Sequence, residues 1–263
     1  MDRADELLEQ GDIDGARAAL VDGVKQKPGD VRARMFLFQL LALCGERDKA
    51  RKQLEMVAKL SSEAKMLAVA YGQALDAEEQ RAKVFAGEAP AQLVVPSVWA
   101  GDVAEALTHF IAGRTAEGEA CRDKAFDAAP DTAGTLDGKP FEWIADADSR
   151  FGPTLEVIMR GRYGLVAFDS LESITSEGPC DLRDLMWYPV EIGLRSGQSI
   201  AGFLPARYPG TENADADALR LCRSTDWVDQ DWGQQGLGQR LWTLSDGEDV
   251  GLLTVRELAI ASN

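Results

Sequence analysis

The sequence predicts an α+β protein in which tetratricopeptide-like helical repeats precede a smaller, mostly antiparallel β domain. Two observations predict this order. A turn motif recurs at 34-residue spacing in the first half of the chain. After residue 130, short β-branched and aromatic runs appear, together with five of the six tryptophans. We therefore expect a repeat domain over residues 1–132 and a C-terminal α+β domain over residues 133–263.

The helical repeats follow from the 34-residue register. Its turn positions are Gly11, Gly45, Glu79 and Gly113. Glycine after a helix readily adopts the left-handed conformation that lets a second helix begin. The unit that turns at Glu79 is degenerate, because Gly87 and Pro90 should end its second helix early.

Individual helices can be placed within this register. Residues 31–43 are apolar on most sides, which is typical of a helix buried between neighbours. Residues 49–60 carry apolar side chains on one stripe and charges opposite, as an amphipathic helix does. Residues 89–98 contain two prolines and few charges, so we expect a connector there, with helix resuming over 100–112.

The second half reads as strands joined by tight turns. A short strand is predicted at residues 163–168, and two hairpins are predicted to turn at 195–198 and 245–249. One helix is expected at residues 153–160, because proline suits the first turn of a helix.

Composition narrows the classes of function. The 44 acidic residues exceed the 28 basic ones, and the net charge of −16 argues against nonspecific binding to nucleic acid or anionic membranes. The sequence has neither a secretory signal pattern nor a long apolar run, so we expect a cytoplasmic protein. The four cysteines lack CxxC spacing and are expected to be reduced. His109 has no metal-binding companions near it in sequence, so neither a metal nor another cofactor is expected.

No catalytic motif emerges from the residues. Asp146 and Asp148 begin a pattern like a calcium loop, but Val157 stands where the bidentate glutamate belongs. We expect these carboxylates to cap the following helix and to pair with Arg150 or Arg160. The chain lacks a GxSxG motif, and its glycine-rich segment lacks the lysine of a phosphate-binding loop.

One set of motifs is more specific, and its segments occur in a fixed order along the chain. They are Gly134-Thr-Leu-Asp-Gly-Lys-Pro-Phe-Glu-Trp143 with its continuation to Pro153, Trp187-Tyr-Pro189, Pro205-Ala-Arg-Tyr-Pro-Gly210 with its continuation to Glu212, Gly238-Gln-Arg240 and Leu252-Leu-Thr-Val-Arg-Glu257. Together they resemble the ImpE/TagJ (SciE-type) family of type VI secretion accessory proteins. The resemblance implies a non-enzymatic cytoplasmic adaptor of the contractile sheath. It further implies two partners, the TssB-like small sheath subunit and, directly or through it, the ClpV-type AAA+ ATPase.

Two classes of function remain open at this stage. An adaptor would take a partner helix on the first helices of the repeats, at positions that tetratricopeptide geometry assigns to the concave face: Arg32, Met35, Gln39, Met66, Val69 and Gln73. Alternatively, Met35, Met66 and Val69 could simply be core residues. A metal-dependent or small-molecule enzyme would instead use carboxylates of the second half: Asp137, Glu142, Asp146 and Asp148.

Overall fold

The helical half consists of consecutive antiparallel pairs and one long helix. In the computed structural model, which describes residues 2–261, the helices before residue 130 are α1 (Asp2–Glu9), α2 (Ile13–Gln26), α3 (Val31–Leu43), α4 (Arg47–Leu60), α5 (Lys65–Phe85), α6 (Ala100–Ile111) and α7 (Thr115–Ala128). Gly11, Gly45 and Gly113 all have positive φ and separate the paired helices. The predicted helical turns are therefore confirmed at these three positions.

The turn predicted at Glu79 is wrong. Glu79 lies in the interior of α5, which continues to Phe85 and ends before Gly87, a residue with φ of 74°. The residues around Glu79 are good helix formers without glycine or proline. Lys83 pairs with Glu79 at 3.0 Å across one helical turn. The 34-residue spacing therefore extends through Glu79 in the sequence, but the helix propensity of the residues there keeps α5 continuous.

The second half is built from antiparallel strands. They are β1 (Gly134–Leu136), β2 (Lys139–Phe141), β3 (Ile144–Asp146), β4 (Thr154–Met159), β5 (Arg162–Ala167), β6 (Leu171–Thr175), β7 (Trp187–Leu194), β8 (Ser199–Pro205), β9 (Thr225–Gln230), β10 (Gly233–Gly238), β11 (Leu241–Leu244), β12 (Asp249–Gly251) and β13 (Glu257–Ile260), with a short helix α8 (Asp217–Arg220). The main sheet has the order β2-β1-β13-β6-β7-β8-β4-β5. Smaller sheets are formed by β12-β11-β3 and by β9-β10. The two predicted hairpins are confirmed as β7–β8 and β11–β12.

The helix predicted over residues 153–160 is wrong, because this segment is strand β4. All six residues of β4 are buried, so the polar–apolar alternation that identifies a half-exposed strand is lost. Arg160 and Gly161, with φ of 52° and 73°, form the tight turn into β5. The β-branched Val157 and Ile158 suit the pleated backbone of a buried strand.

The two halves share apolar packing. Phe38 and Tyr71 from the helices lie against Trp187 from the sheet in one buried cluster, while a second cluster lies within the β half. The connector reaches the edge of the sheet, where the Leu165 amide donates to the Gln92 carbonyl at 2.8 Å. The secondary structure changes between residues 128 and 134, and the division into separate domains at 132 remains a prediction. No helix in residues 2–261 has the length and apolar character needed to cross a membrane.

Candidate functional site

The predicted groove residues on α3 line a cleft. Arg32, Met35 and Gln39 lie along one face of the helix at the wall of a cavity of about 720 Å³. Leu8 of α1 and residues 179–182 of the β half complete this wall. Arg32 is exposed, Met35 is half-buried and Gln39 is buried at the base. The first half of the predicted groove is therefore an apolar cleft with a polar rim.

The predicted groove residues on α5 are exposed, and Gln73 lines a second cavity. Met66 and Val69 are 79% and 57% exposed, which rules out the alternative that these two residues are core. Gln73 lines a cavity of about 540 Å³ together with Ile158 and Phe203 of the sheet. Four of the six predicted positions thus line two cavities: Arg32, Met35 and Gln39 with residues 179–182 in one, and Gln73 with residues 175–177 in the other.

Trp187 of the β half packs against both α3 and α5. The Trp187 ring stacks on Phe38 of α3, with centroids 6.4 Å apart, and lies 5.8 Å from the ring of Tyr71 on α5. The guanidinium of Arg183 sits 4.7 Å from the Tyr71 ring centroid, within cation–π range. The indole Nε1 of Trp187 also donates to Glu78 at 3.3 Å. Trp187 therefore covers Phe38 and Tyr71, which lie near predicted groove positions in sequence but are not among them.

Asp146 and Asp148 are buried in ion pairs. Asp148 accepts from Arg150 Nη2 at 2.6 Å and from the Gly236 amide at 3.0 Å. Asp146 pairs with Arg240 and accepts from the Tyr208 hydroxyl at 3.1 Å. Burial raises the pKa of Asp146 to about 7, because the loss of hydration outweighs the attraction of the Arg240 guanidinium.

The prediction for these two carboxylates is half right. The pairing of Asp148 with Arg150 is present, as expected. The capping role is wrong, because a strand and not a helix follows. Arg160 is an exposed turn residue instead of a partner.

The centre of this buried network is Glu156, which was not predicted from the sequence. Glu156 of β4 accepts two hydrogen bonds from Arg81 of α5, pairs with Arg240 and accepts from the Tyr163 hydroxyl at 2.6 Å. Burial alone would raise the pKa of Glu156, but Arg81 and Arg240 together lower it to about 2. A glutamate within the apolar run from Leu155 to Met159 was the available signal, because a buried carboxylate needs cationic partners.

The four carboxylates proposed for an enzyme do not converge. Asp137 is exposed, and its Oδ1 accepts from the amides of Arg256 and Glu257 at 2.9 and 2.7 Å. Glu142 is also exposed, with its amide bonded to the Ser245 hydroxyl. The other two are the buried ion-pair members described above. This arrangement does not present a carboxylate pair to a common substrate.

Comparison with known proteins agrees with the fold. The family model described as "ImpE protein" matches residues 138–259, and one described as "Tetratricopeptide repeat" matches residues 7–70. The curated type VI secretion system accessory component TagJ of Pseudomonas aeruginosa is 42% identical over 258 residues, which is 97% of this chain and 90% of that protein. A crystal structure of a Vibrio parahaemolyticus protein has a TM-score of 0.87 at 22% identity, covering 99% of this chain and 98% of that one. The latter likeness supports the overall architecture, including the α+β order predicted from the sequence.

Proposed function

The chain belongs to the ImpE/TagJ family of type VI secretion accessory proteins, and we propose that it is a non-enzymatic, cytoplasmic adaptor of the contractile sheath. In this role it binds a helix of the TssB-like small sheath subunit through the first helices of its repeats. It also links the sheath, directly or through that subunit, to the ClpV-type AAA+ ATPase. Family membership supports the accessory role. The contacts with the sheath subunit and the ATPase are our proposal.

The exposure of Met66 and Val69 carries the proposed contact. These apolar side chains lie three residues apart on α5, so they share one helix face and together offer an exposed apolar surface. Methionine adapts its shape to different apolar anchors, which suits a groove that receives an amphipathic helix.

The polar residues around this surface suit the same occupant. Arg32 at the rim of the α3 cleft can pair with an acidic residue of the partner helix, and exposed Gln73 can bond its polar edge. Met35 in the α3 cleft supplies a second apolar contact. We therefore propose that the partner helix lies across α3 and α5 on the sides that Trp187 leaves uncovered.

The non-enzymatic part of the proposal rests on how the carboxylates are used. Asp146 and Asp148 accept hydrogen bonds from arginines and backbone amides, and Asp137 anchors the backbone before β13. Groups committed in this way are poor general acids or bases, because their lone pairs already have partners. The pKa of about 7 at Asp146 would suit a general acid or base, but this carboxylate is buried and already bonded to Arg240 and Tyr208.

Co-purification tests this function. The tagged full chain should retain the small sheath subunit from a lysate of cells that carry the secretion system, and should retain the ATPase when that subunit is present. Met66→Glu combined with Val69→Glu should lose both partners. Val98→Glu is the matched control, because Val98 is a fully exposed apolar residue on the connector. Retention of the sheath subunit by the double variant would argue against the proposed contact.

A further inference from the structure

Three potential metal ligands meet across the last helical hairpin. Glu105 and His109 lie one turn apart on α6, and Cys121 lies opposite on α7. Their ligand atoms all lie within 4.8 Å of one another. No metal is expected from the sequence alone, because His109 has no companions nearby in sequence. The turn at Gly113 returns the chain, however, and brings Cys121 beside His109.

The spacing of these atoms approaches that of a tetrahedral metal site. His109 Nε2 lies 3.7 Å from Glu105 Oε1. Zinc bonds of 2.0–2.3 Å in a tetrahedron place neighbouring ligand atoms roughly 3.3–3.8 Å apart. Glu105 is exposed and the other two are half-buried, so small side-chain rotations can bring all three to bonding distance.

We propose that Glu105, His109 and Cys121 form a Zn²⁺ site that joins α6 to α7, with its fourth position open to water. Thiolate, imidazole and carboxylate are the three ligand types that zinc takes in proteins. A carboxylate and a thiolate together neutralise the two charges of the ion. Binding stabilises the hairpin, because ligands on both helices are held by one metal.

In the metal-free protein, Arg114 is hydrogen-bonded to His109. Its Nε donates to His109 Nδ1 at 2.8 Å, so Nδ1 is an acceptor and the proton of the neutral ring lies on Nε2, facing Glu105. A metal at Nε2 requires that proton to move to Nδ1, and Arg114 must then turn away. Arg114 is exposed and able to do so.

The proton balance of binding is simple. Zinc takes cysteine as the thiolate, so the thiol proton of Cys121 has to leave. The metal displaces that proton to solvent and binds the thiolate. The His109 ring gives up the proton on Nε2 and takes one on Nδ1, so it adds nothing to the net count. One proton is therefore released for each ion bound.

Cobalt titration of the full chain tests the site. Co²⁺ replaces zinc in tetrahedral sites and gives an absorption band from thiolate-to-metal charge transfer. We expect this band to saturate at one equivalent and to be displaced by Zn²⁺. Cys121→Ser should abolish it, and His109→Ala should weaken binding at least tenfold. Cys180→Ser is the matched control, because Cys180 is exposed and away from the three ligands, and it should leave the titration unchanged.

The Arg114→Ala variant distinguishes metal binding at this site from nonspecific metal binding elsewhere on the surface. Removal of the competing hydrogen bond should tighten cobalt binding by roughly two- to tenfold. Thermal melts check that each variant folds like the wild type. Absence of the thiolate band, its persistence in Cys121→Ser, or its loss in Cys180→Ser would overturn the proposal.

Discussion

Arg81 of α5 and Glu156 of β4 form a buried, bidentate ion pair in which Nε donates to Oε1 at 2.8 Å and Nη2 to Oε2 at 2.9 Å. Arg81 also donates to the Arg207 carbonyl at 2.8 Å. The planar guanidinium fixes the orientation of both groups. The pair therefore sets how α5, which carries Met66 and Val69, lies on the sheet.

Replacing Arg81 with methionine should destabilise the protein by about 3–5 kcal/mol, because it leaves the buried Glu156 with one cationic partner instead of two. The measurement is urea unfolding followed by circular dichroism. Arg51→Met is the control, since Arg51 pairs with the exposed Asp76 and should change stability by less than about 1 kcal/mol. A loss in Arg81→Met as small as the control's would contradict the role given to this pair.

The depressed pKa of Glu156 predicts how its contribution depends on pH. A carboxylate whose pKa falls from 4.5 to about 2 on folding stabilises the protein above pH 4.5, and this stabilisation is lost as the pH falls toward 2. The difference in unfolding free energy between wild type and Glu156→Gln should therefore be largest near pH 6. It should shrink by on the order of 3 kcal/mol at low pH. A difference that is constant with pH would mean that folding does not shift the pKa of Glu156.

Gly118 of α7 is predicted to be a close-packing position. A Cβ there would lie 2.6 Å from ring carbons of Phe110 on α6, so Gly118→Ala should cost about 1–3 kcal/mol. Gly23 of α2 has open space around its Cβ position, and Gly23→Ala should instead stabilise the protein by roughly 0.5–1 kcal/mol. Thermal unfolding of both variants measures the two changes in stability. Equal changes in the two variants would refute the prediction.

The Asp146–Asp148 segment should not bind calcium, magnesium or manganese at submillimolar concentration. Its carboxylate oxygens are buried and accept from Arg150, Arg240 and Tyr208, so an ion would have to displace buried partners. Isothermal titration calorimetry should show no saturable heat. A saturable isotherm that Asp148→Ala abolishes would show that the segment is a metal site after all.

The parts of the fold that were predictable are those set by local sequence. The glycine turns at Gly11, Gly45 and Gly113 were visible because a left-handed residue is required there. Strand β4 was misassigned because burial on both faces removes alternation, and Pro153 then suggested a helix start. At Glu79 the local sequence was informative and the repeat spacing was not, because the residues there favour a continuous helix.

The site was less predictable because its contacts are long-range. Arg81 and Glu156 are 75 residues apart, and the sequence offers 28 basic residues as possible partners for the buried carboxylate. The burial of Trp187 against Phe38 and Tyr71 likewise depends on how the sheet packs against α3 and α5. Cys121 meets His109 only through the hairpin.

Titration of a labelled peptide from the N-terminal region of the small sheath subunit with the full chain, followed by fluorescence anisotropy, tests the adaptor account most directly. Wild type and Val98→Glu should bind with the same affinity, because Val98 lies on the connector, outside the proposed contact. Met35→Glu combined with Val69→Glu should bind at least tenfold more weakly, because charges in an apolar groove cost binding free energy. The Met66→Glu and Val69→Glu pair, in which both positions are exposed, provides the same test should Met35→Glu disturb packing. We expect both pairs of substitutions to weaken binding with an unchanged melting transition, and wild-type affinity in both would refute the adaptor role.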